Sequence, residues 1–482
     1  MTYLSIDVGT TGCKCQLFSE NGDIIKYLFR EYAFKIVDGD SYVDVSAIEG
    51  HLREMIDEIS RDFDISSICI SSLGESFVLL DENDKILFHP MLYTDTRGEE
   101  EAEEIKSAIG EERAFLITGG VPHSMYSLSK LLWIKRHAPD VFSKAHKVML
   151  IGDYIGYLLT GKRVIDYALA SRTGAFDIRA MQFSDEVLGR FGINKSLFST
   201  PMRAGSIVGK LKPEWNVPAL LVLGSHDQVC AAVGAGVLKA GEAVDGMGTV
   251  ECTTVAFSKR PTQIEMGRQG YCCVPYAVDG LYCTYVLNYS CGSTVNWFRR
   301  KITHEYAGDE SSFFAYMEKN IPDLPSDVLA LPYLAGAATP HQDLSAKGAF
   351  LNLSLNTRDC DMYRALIEGM SMEMRMNIET VNAYGIDISE IVATGGCSNS
   401  ERWMQIKADV QKVPVKVLRS SEGGLCGCAM LQSVAIGGIA TLEDAREIFT
   451  RYTKHFSPAP SGAYERKYEK YKKIYKLVKE LA

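Results

Sequence analysis

No stretch of this 482-residue chain approaches the ~18–20 uninterrupted apolar residues that a membrane-spanning helix needs, so no membrane partner is expected. The first residues run straight into a strand pattern. They contain neither a basic leader segment nor a signal core, and nothing there points to export. The thirteen cysteines include no CxxC pair and no Cys/His cluster at zinc spacing. They read as small, reduced core residues of a cytoplasmic protein rather than disulfides or metal ligands. There is no excess of positive charge. The net charge of −10 argues against a general nucleic-acid-binding surface. The chain also lacks GxxxxGK[ST], and no GxGxxG follows a strand, so the two commonest phosphate-binding loops are ruled out.

What is present is ordinary globular material, 46% hydrophobic and 23% charged, in a chain long enough for two to four domains. It opens with MTYLSIDVGTTGCKCQLFSENGDI. An apolar run delivers Asp7 into a Gly-Thr-Thr-Gly turn, and an alternating run follows. Strands are expected around 3–8, 13–19, 24–32, 66–72 and 77–80, and helices around 46–60, 98–108, 127–137, 152–158 and 183–190. A second strand-rich start, GEAVDGMGTVECTTVAFSK, spans 241–259. Laid over the first, its Gly248-Thr249 matches Gly9-Thr10, which suggests an internal duplication with a period of about half the chain. The copies differ at one place: Asp7 has Gly246 as its counterpart. An acid kept in one copy only points to function. The boundary is placed near 236–242, giving domains 1–240 and 241–482. Further on, helices are expected over 362–384, 424–436 and 463–479, the last of these read as a solvated docking helix.

Four segments carry chemistry. Turns of Gly and Thr between strands let a backbone approach a phosphate, and their N–H and hydroxyl groups donate to its oxygens. Two such turns, one per half, can grip a polyphosphate. Asp7 then suits a hydrated Mg²⁺, which keeps several waters and binds one or two carboxylates. In VLGSHDQVCAAVGAGV, an apolar strand over 219–223 ends in Gly-Ser-His and Asp227 starts a helix of small residues. An acid there is either a plain N-terminal cap or a general base for an alcohol attacking a phosphoryl group. His226 is expected to point away from Asp227. In IVATGGCSNSERWMQIKADV, a strand meets Gly395-Gly396, with Ser398 or Asn399 capping a helix. Paired glycines there fit an adenine or ribose pocket.

Together these segments resemble the FGGY carbohydrate kinases of the actin-like, sugar kinase and Hsp70 ATPase superfamily, along nearly the whole chain. DVGTTGCK and GMGTVE resemble the family's two phosphate motifs, and GSHDQ the block holding its catalytic Asp. SSLGESFVLLDENDKILFHPMLYTDTR, MYSLSKLLWIKRH, DYALASRTGAFDIR, LPYLAGAATPHQDLSAKGAFLNLS and GGCSNSERWMQIKADV resemble further blocks in the family's order.

The resemblance implies an α/β fold of two duplicated RNase-H-like domains flanking a deep catalytic cleft, the first mainly sugar-binding and the second mainly ATP-binding. It implies an ATP-dependent sugar kinase using Mg²⁺, acting on a small sugar or polyol and often dimeric. Asp227 matches the base. Asp7, Gly9, Thr10, Thr11 and Lys14 match phosphate- and Mg²⁺-side positions, with Asp7 on the metal. Gly248 and Thr249 match the second phosphate loop, and Gly395, Gly396 and Asn399 the adenosine side. Gly74, Glu75, Tyr93, Asp95 and Gln228 match the sugar side. Lys130 and Trp133 read as structural.

Overall similarity implies a ketopentose such as xylulose as acceptor. Against that, xylulokinases carry Met-His-Gly where this chain has Gly74-Glu75-Ser76. Glu75 is nearer the glycerol kinase pattern, whose Arg-Glu pair binds polyol hydroxyls, but Gly74 takes the place of that Arg. Tyr93 replaces a Trp, and Ala337 replaces a Glu. Glycerol, gluconate or a tetritol is therefore the alternative acceptor, and a non-catalytic sugar sensor on the same scaffold is the alternative class.

Overall fold

The computed structural model describes residues 1–37, 39–420, 422–459 and 462–481. The chain divides into two compact units: Met1–Leu238 with Cys272–Cys283 and Glu422–Thr450, and Lys239–Tyr271 with Thr284–Ser421 and Arg451–Ala482.

The first unit is built on a six-stranded mixed sheet of β1 (Thr2–Val8), β2 (Gly12–Ser19), β3 (Ile24–Glu31), β4 (Ser67–Ser72), β5 (Ile207–Lys210) and β6 (Leu220–His226), in the order β5-β6-β4-β1-β2-β3. β1–β2–β3 is an antiparallel meander, and β4 and β6 add on parallel to β1. Tyr3, Leu4, Ile6 and Val8 are all buried, the near-continuous apolar run expected of a strand covered on both faces. Helix Val45–Ser60 covers one face. The Asp44 carboxylate caps it by accepting the N–H groups of Ser46 and Ala47. Its buried residues Ile48, Leu52, Met55, Ile56 and Ile59 recur at helical spacing and join the sheet's core.

Helices Asp227–Gly234 and Gly423–Ala435 meet backbone to backbone. A Cβ on Gly427 would lie 1.9 Å from the Cys230 carbonyl oxygen, and one on Gly234 2.0 Å from that of Gly423. The small residues read from the sequence are therefore required by this crossing. It brings the start of the second helix to Asp7, since a Cβ on Gly424 would lie 3.7 Å from Asp7 Oδ1.

The second unit repeats the plan. Its sheet contains β7 (Glu242–Met247), β8 (Glu251–Phe257), β9 (Tyr282–Asn288), β10 (Glu390–Thr394), β11 (Val415–Leu418) and β12 (Tyr452–Phe456), in the order β9-β8-β7-β10-β11-β12. β7 pairs antiparallel with β8 and parallel with β10, as β1 does with β2 and β4. Helix Asp359–Ala383 is buried nearly all round, and Met370, Met372 and Met374 pack in its core. Helix Gly462–Leu481 buries Tyr464, Lys467, Tyr468, Tyr471 and Ile474 on one face, so it docks along a stripe and exposes the rest.

Two local expectations are corrected. β6 does not stop at 223 but runs through Gly224, Ser225 and His226. This extension requires glycine, because a Cβ at 224 would lie 1.8 Å from the Ile70 carbonyl oxygen on β4. Neither Ser398 nor Asn399 caps the helix after β10. Gly396–Asn399 form a 3₁₀ turn, and Ser400 caps Glu401–Gln411 by accepting the Trp403 N–H.

Candidate active site

The side chains expected to be functional fall into two groups, one in each unit. In the first, β1 ends by presenting Asp7 beside the β1–β2 turn. The Gly9 N–H donates to the Gly12 carbonyl at 3.0 Å, and the Tyr32 hydroxyl donates to the Gly9 carbonyl at 2.5 Å, which holds the turn from below. A side chain at Gly12 would crowd the β3 backbone, since a Cβ would lie 2.9 Å from the Arg30 carbonyl oxygen. On the turn, Thr10 is half-buried and Thr11 exposed. Asp7 Oδ1 accepts the Ser71 hydroxyl at 2.7 Å. Burial lifts its pKa to about 6, with the Asp227 charge adding to the rise and the Ser71 hydroxyl and Lys14 opposing it. Lys14 pairs with Glu422 at 3.0 Å at the start of the Gly423–Ala435 helix.

Asp227 opens its helix at the end of β6. Its Oδ1 accepts the Gln228 N–H at 2.6 Å and lies 3.2 Å from His226 Nε2. His226 thus faces Asp227, against the expectation that it would point away. Burial drops His226 to about 4, so its ring is neutral at pH 7. Burial also raises Asp227, to about 6, against the Gln228 N–H and the Arg172 charge.

Gly74 and Glu75 follow β4. Glu75 takes a left-handed φ of 58° and is buried. Its carboxylate is paired with Arg172, whose Nε donates to Oε1 at 2.5 Å, and its carbonyl accepts the Ser127 hydroxyl at 2.6 Å. The Asp95 carboxylate is engaged by Arg97, which donates from Nε at 3.0 and 3.1 Å and from its backbone N–H at 2.9 Å. Tyr93, two residues earlier in the loop, is exposed. Lys130 is fully buried and donates to the carbonyls of Asp95 at 2.9 Å and Ser124 at 2.6 Å, a clamp on this loop. Burial lowers its pKa to about 8.

In the second unit, Gly248, Thr249, Gly396 and Asn399 line one cavity of about 660 Å³, together with Ser293 and Glu318. That volume is within the usual range for small-molecule and cofactor sites. Helix Gly292–Lys301 fixes the 248–249 turn, because the Gly292 and Ser293 N–H groups donate to the Gly248 and Thr249 carbonyls at 2.9 and 3.0 Å. Gly395 has a φ of 95°, and a Cβ there would lie 2.6 Å from the Met247 carbonyl oxygen. Gly395 therefore lets the β10 turn pass directly against the β7 turn. Behind the turns, Lys407 is buried between Asp245, at 2.5 Å, and Glu251.

Sequence profiles decide what these two groups belong to. Residues 2–234 match the N-terminal domain, and residues 247–436 the C-terminal domain, of the FGGY family of carbohydrate kinases. The chain belongs to that family. Among characterised relatives, the xylulose kinase of Staphylococcus xylosus is 26% identical over 98% of this chain and 100% of its own. The gluconokinase of Bacillus subtilis is 28% identical over 96% and 93%. The crystal structure of xylulose kinase from Rhodospirillum rubrum superposes with a TM-score of 0.91 at 23% identity, covering 100% of this chain and 99% of that one. The fold is thus the actin-like ATPase fold, and the protein is a sugar kinase with a nucleotide substrate.

Mg²⁺ fits this FGGY kinase at Asp7 on the chemistry of the donors. Among the described residues no cluster of three or more His, Cys, Asp or Glu is arranged to hold a metal. A carboxylate steadied by Ser71 suits an ion that keeps its water and takes its other ligands from phosphates.

Sequence reasoning missed Ser71, Glu422, Arg172 and the orientation of His226. Arg172 lies inside a quoted block, DYALASRTGAFDIR, but nothing local marks it, because its partner Glu75 is 97 residues away.

Proposed function

We propose that this sugar kinase transfers the γ-phosphate of ATP to a hydroxyl of a small ketose, a ketopentose such as xylulose, with Asp227 as general base. One observation carries the base assignment. The Asp227 carboxylate is fixed at a helix start by the Gln228 N–H, and its pKa is lifted to about 6. At pH 7 it is mostly ionised, yet a better proton acceptor than an ordinary aspartate. Phosphoryl transfer is loose, so the hydroxyl proton leaves late and orientation is most of the base's task. His226, lowered to about 4 by burial, is the weaker proton acceptor of the two.

The first unit, on this reading, presents the acceptor, with Gly74, Glu75, Tyr93, Asp95 and Gln228 on its side. The second holds the nucleotide. Gly248 and Thr249 lie against phosphates, and Gly395, Gly396 and Asn399 against adenosine. Gly9, Thr10, Thr11 and Lys14 contribute phosphate contacts from the first unit. Mg²⁺, when held at Asp7, neutralises charge on the phosphate oxygens. The thirteen cysteines are all thiols, which suits a reducing compartment such as the cytoplasm.

A second acceptor class is favoured by the Glu75–Arg172 pair, whose donors and acceptors suit a polyol such as glycerol or a tetritol, or gluconate. The test is ADP release from Mg-ATP across xylulose, ribulose, glycerol, erythritol and gluconate. A single preferred ketose supports the first reading and a preferred polyol or gluconate the second. ATP binding with no turnover on any acceptor would overturn both.

A further inference from the structure

We infer that Cys397 is an oxidation site inside the second unit's cavity: peroxide joins it to Cys291 as a disulfide, and that bond opposes nucleotide binding. This rests on the reading above that the cavity holds ATP.

The site is made where two segments meet. β10 ends at Thr394, Gly395 turns the chain, and Gly396–Asn399 form the 3₁₀ turn that carries Cys397. Cys291 stands immediately before helix Gly292–Lys301. Gly396, Cys397 and Asn399 from the first segment, and Gly292 and Ser293 from the second, line the cavity of about 660 Å³. The segments approach closely, since a Cβ on Gly292 would lie 3.6 Å from Cys397 Sγ. The two thiols are in hydrogen-bonding contact, which with burial raises the Cys291 pKa well above the ordinary cysteine range.

Other thiols lack this combination of access and a cavity. Of the thirteen, Cys252 and Cys397 alone are not buried. Cys252 lies on β8, opposite Gly246 on β7. Cys230 and Cys428 also meet, at 3.9 Å, but both are fully buried in the crossing of their helices. Cys397 is the thiol that opens on a ligand cavity and has a second thiol behind it.

The chemistry has two steps. The Cys397 sulfur attacks peroxide: an S–O bond forms, the O–O bond breaks, and the released hydroxide leaves as water with the thiol proton. The Cys291 sulfur then attacks the sulfenic sulfur: the S–S bond forms, the S–O bond breaks, and the departing hydroxide takes the Cys291 proton as a second water. Two thiols are oxidised by two electrons and one peroxide is reduced to two waters. The raised pKa keeps Cys291 protonated, which suits the second step and not the first.

A disulfide holds its sulfurs at about 2.05 Å with a fixed dihedral, so one side must move to make it. The helix start is pinned, because the Gly292 and Ser293 N–H groups donate to the Gly248 and Thr249 carbonyls. The short 396–399 turn moves instead, carrying Gly396 and Asn399 away from their places on the cavity wall. A nucleotide that holds the turn in place slows the bond, and the bond weakens the nucleotide, by the same coupling read from either side.

The test treats the full chain with hydrogen peroxide, with and without Mg-ATP, and maps crosslinked peptides by mass spectrometry without reduction. A peptide joining Cys291 to Cys397 is expected. ATP at about tenfold over its Kd leaves roughly a tenth of the chains free, so crosslinking should slow ~10-fold. Once crosslinked, the protein should show an ATP KM raised ~10-fold or more and an acceptor KM within about two-fold, and dithiothreitol should restore both. Cys291→Ala should stop at the Cys397 sulfenic acid, which dimedone captures; if that variant does not fold, the wild-type peptide map decides. No Cys291–Cys397 peptide at a peroxide dose that oxidises any other cysteine of the chain, crosslinking that ATP does not slow, or crosslinked protein with an unchanged ATP KM overturns the inference. Untreated protein that binds no ATP overturns the nucleotide reading itself, and this inference with it.

Discussion

If Asp227 is the base, the acid limb of kcat/KM for the acceptor should have its midpoint near pH 6, about two units above an ordinary aspartate. The cause is burial, only partly offset by the Gln228 N–H and the Arg172 charge. With a midpoint of about 6, the ionised fraction is ~0.9 at pH 7 and ~0.1 at pH 5, so the rate should fall ~10-fold across that interval. An unshifted aspartate would lose only ~10% over the same range. His226 does not supply this limb, because its pKa lies near 4. Asp7 is a true competitor, since it too titrates near 6. The two are separable. A cation at Asp7 favours its ionised form, so a limb due to Asp7 moves to lower pH as Mg²⁺ rises, whereas one due to Asp227 stays in place. The assay is initial-rate ADP release from pH 4.5 to 8 at two Mg²⁺ concentrations, with Asp227→Asn as control. The variant should retain ATP affinity and lose ~10²–10⁴-fold in turnover. A limb near pH 4, a limb that follows Mg²⁺ entirely, or an Asn variant within a few-fold of wild type would each refute the assignment.

Three further outcomes are expected. Asp7→Asn should raise the Mg²⁺ concentration needed for half-maximal rate, and an unchanged Mg²⁺ titration would count against a metal role. Gly395→Ala places a Cβ 2.6 Å from the Met247 carbonyl at a φ of 95°. It should raise the ATP KM ~10-fold and leave the acceptor KM within about two-fold, a backbone strain of ~1–3 kcal/mol acting on the nucleotide turn alone; equal changes in both constants would refute that placement. Lys407→Met strands the buried carboxylates of Asp245 and Glu251 and should cost ~3–5 kcal/mol in urea unfolding, while a loss under ~1 kcal/mol would show that the triad is dispensable.

Much of the scaffold is legible in the sequence because period-2 and period-3.6 patterns are local. The Thr2–Val8 and Gly12–Ser19 strands and the Val45–Ser60 helix follow from apolar spacing and one capping acid. Gly395 is legible for a related reason, since glycine is the default residue where a chain takes a positive φ or passes close to another backbone. What stays hidden is pairing across sequence distance. Lys14 meets Glu422, Glu75 meets Arg172, and Asp245 meets Lys407 only once the sheets form. No local pattern distinguishes an arginine that pairs with a buried carboxylate from one on a solvated helix. The extension of β6 to His226 was missed for a similar reason. Its permission is Gly224, whose near-contact with Ile70 belongs to another strand.

The duplicated hairpins show how one frame yields two roles. In register, Gly246 stands where Asp7 does, Asp245 where Ile6 does, and Glu251 where Cys13 does. Ile6 and Cys13 are buried core residues of the first unit, so Asp245 and Glu251 place acids at core positions of the second. Side chains alternate along a strand, and a shift of one residue therefore moves a carboxylate from the turn side to the interior. There it must be neutralised. Lys407 does so, burial raising the Glu251 pKa while the ammonium opposes that rise. Asp7, one position later in the same frame, accepts a serine hydroxyl at 2.7 Å and stands across the β1–β2 pair from Lys14, which is itself paired with Glu422. The acid that the fold leaves without a buried cation is the one suited to receive a cation brought with a polyphosphate.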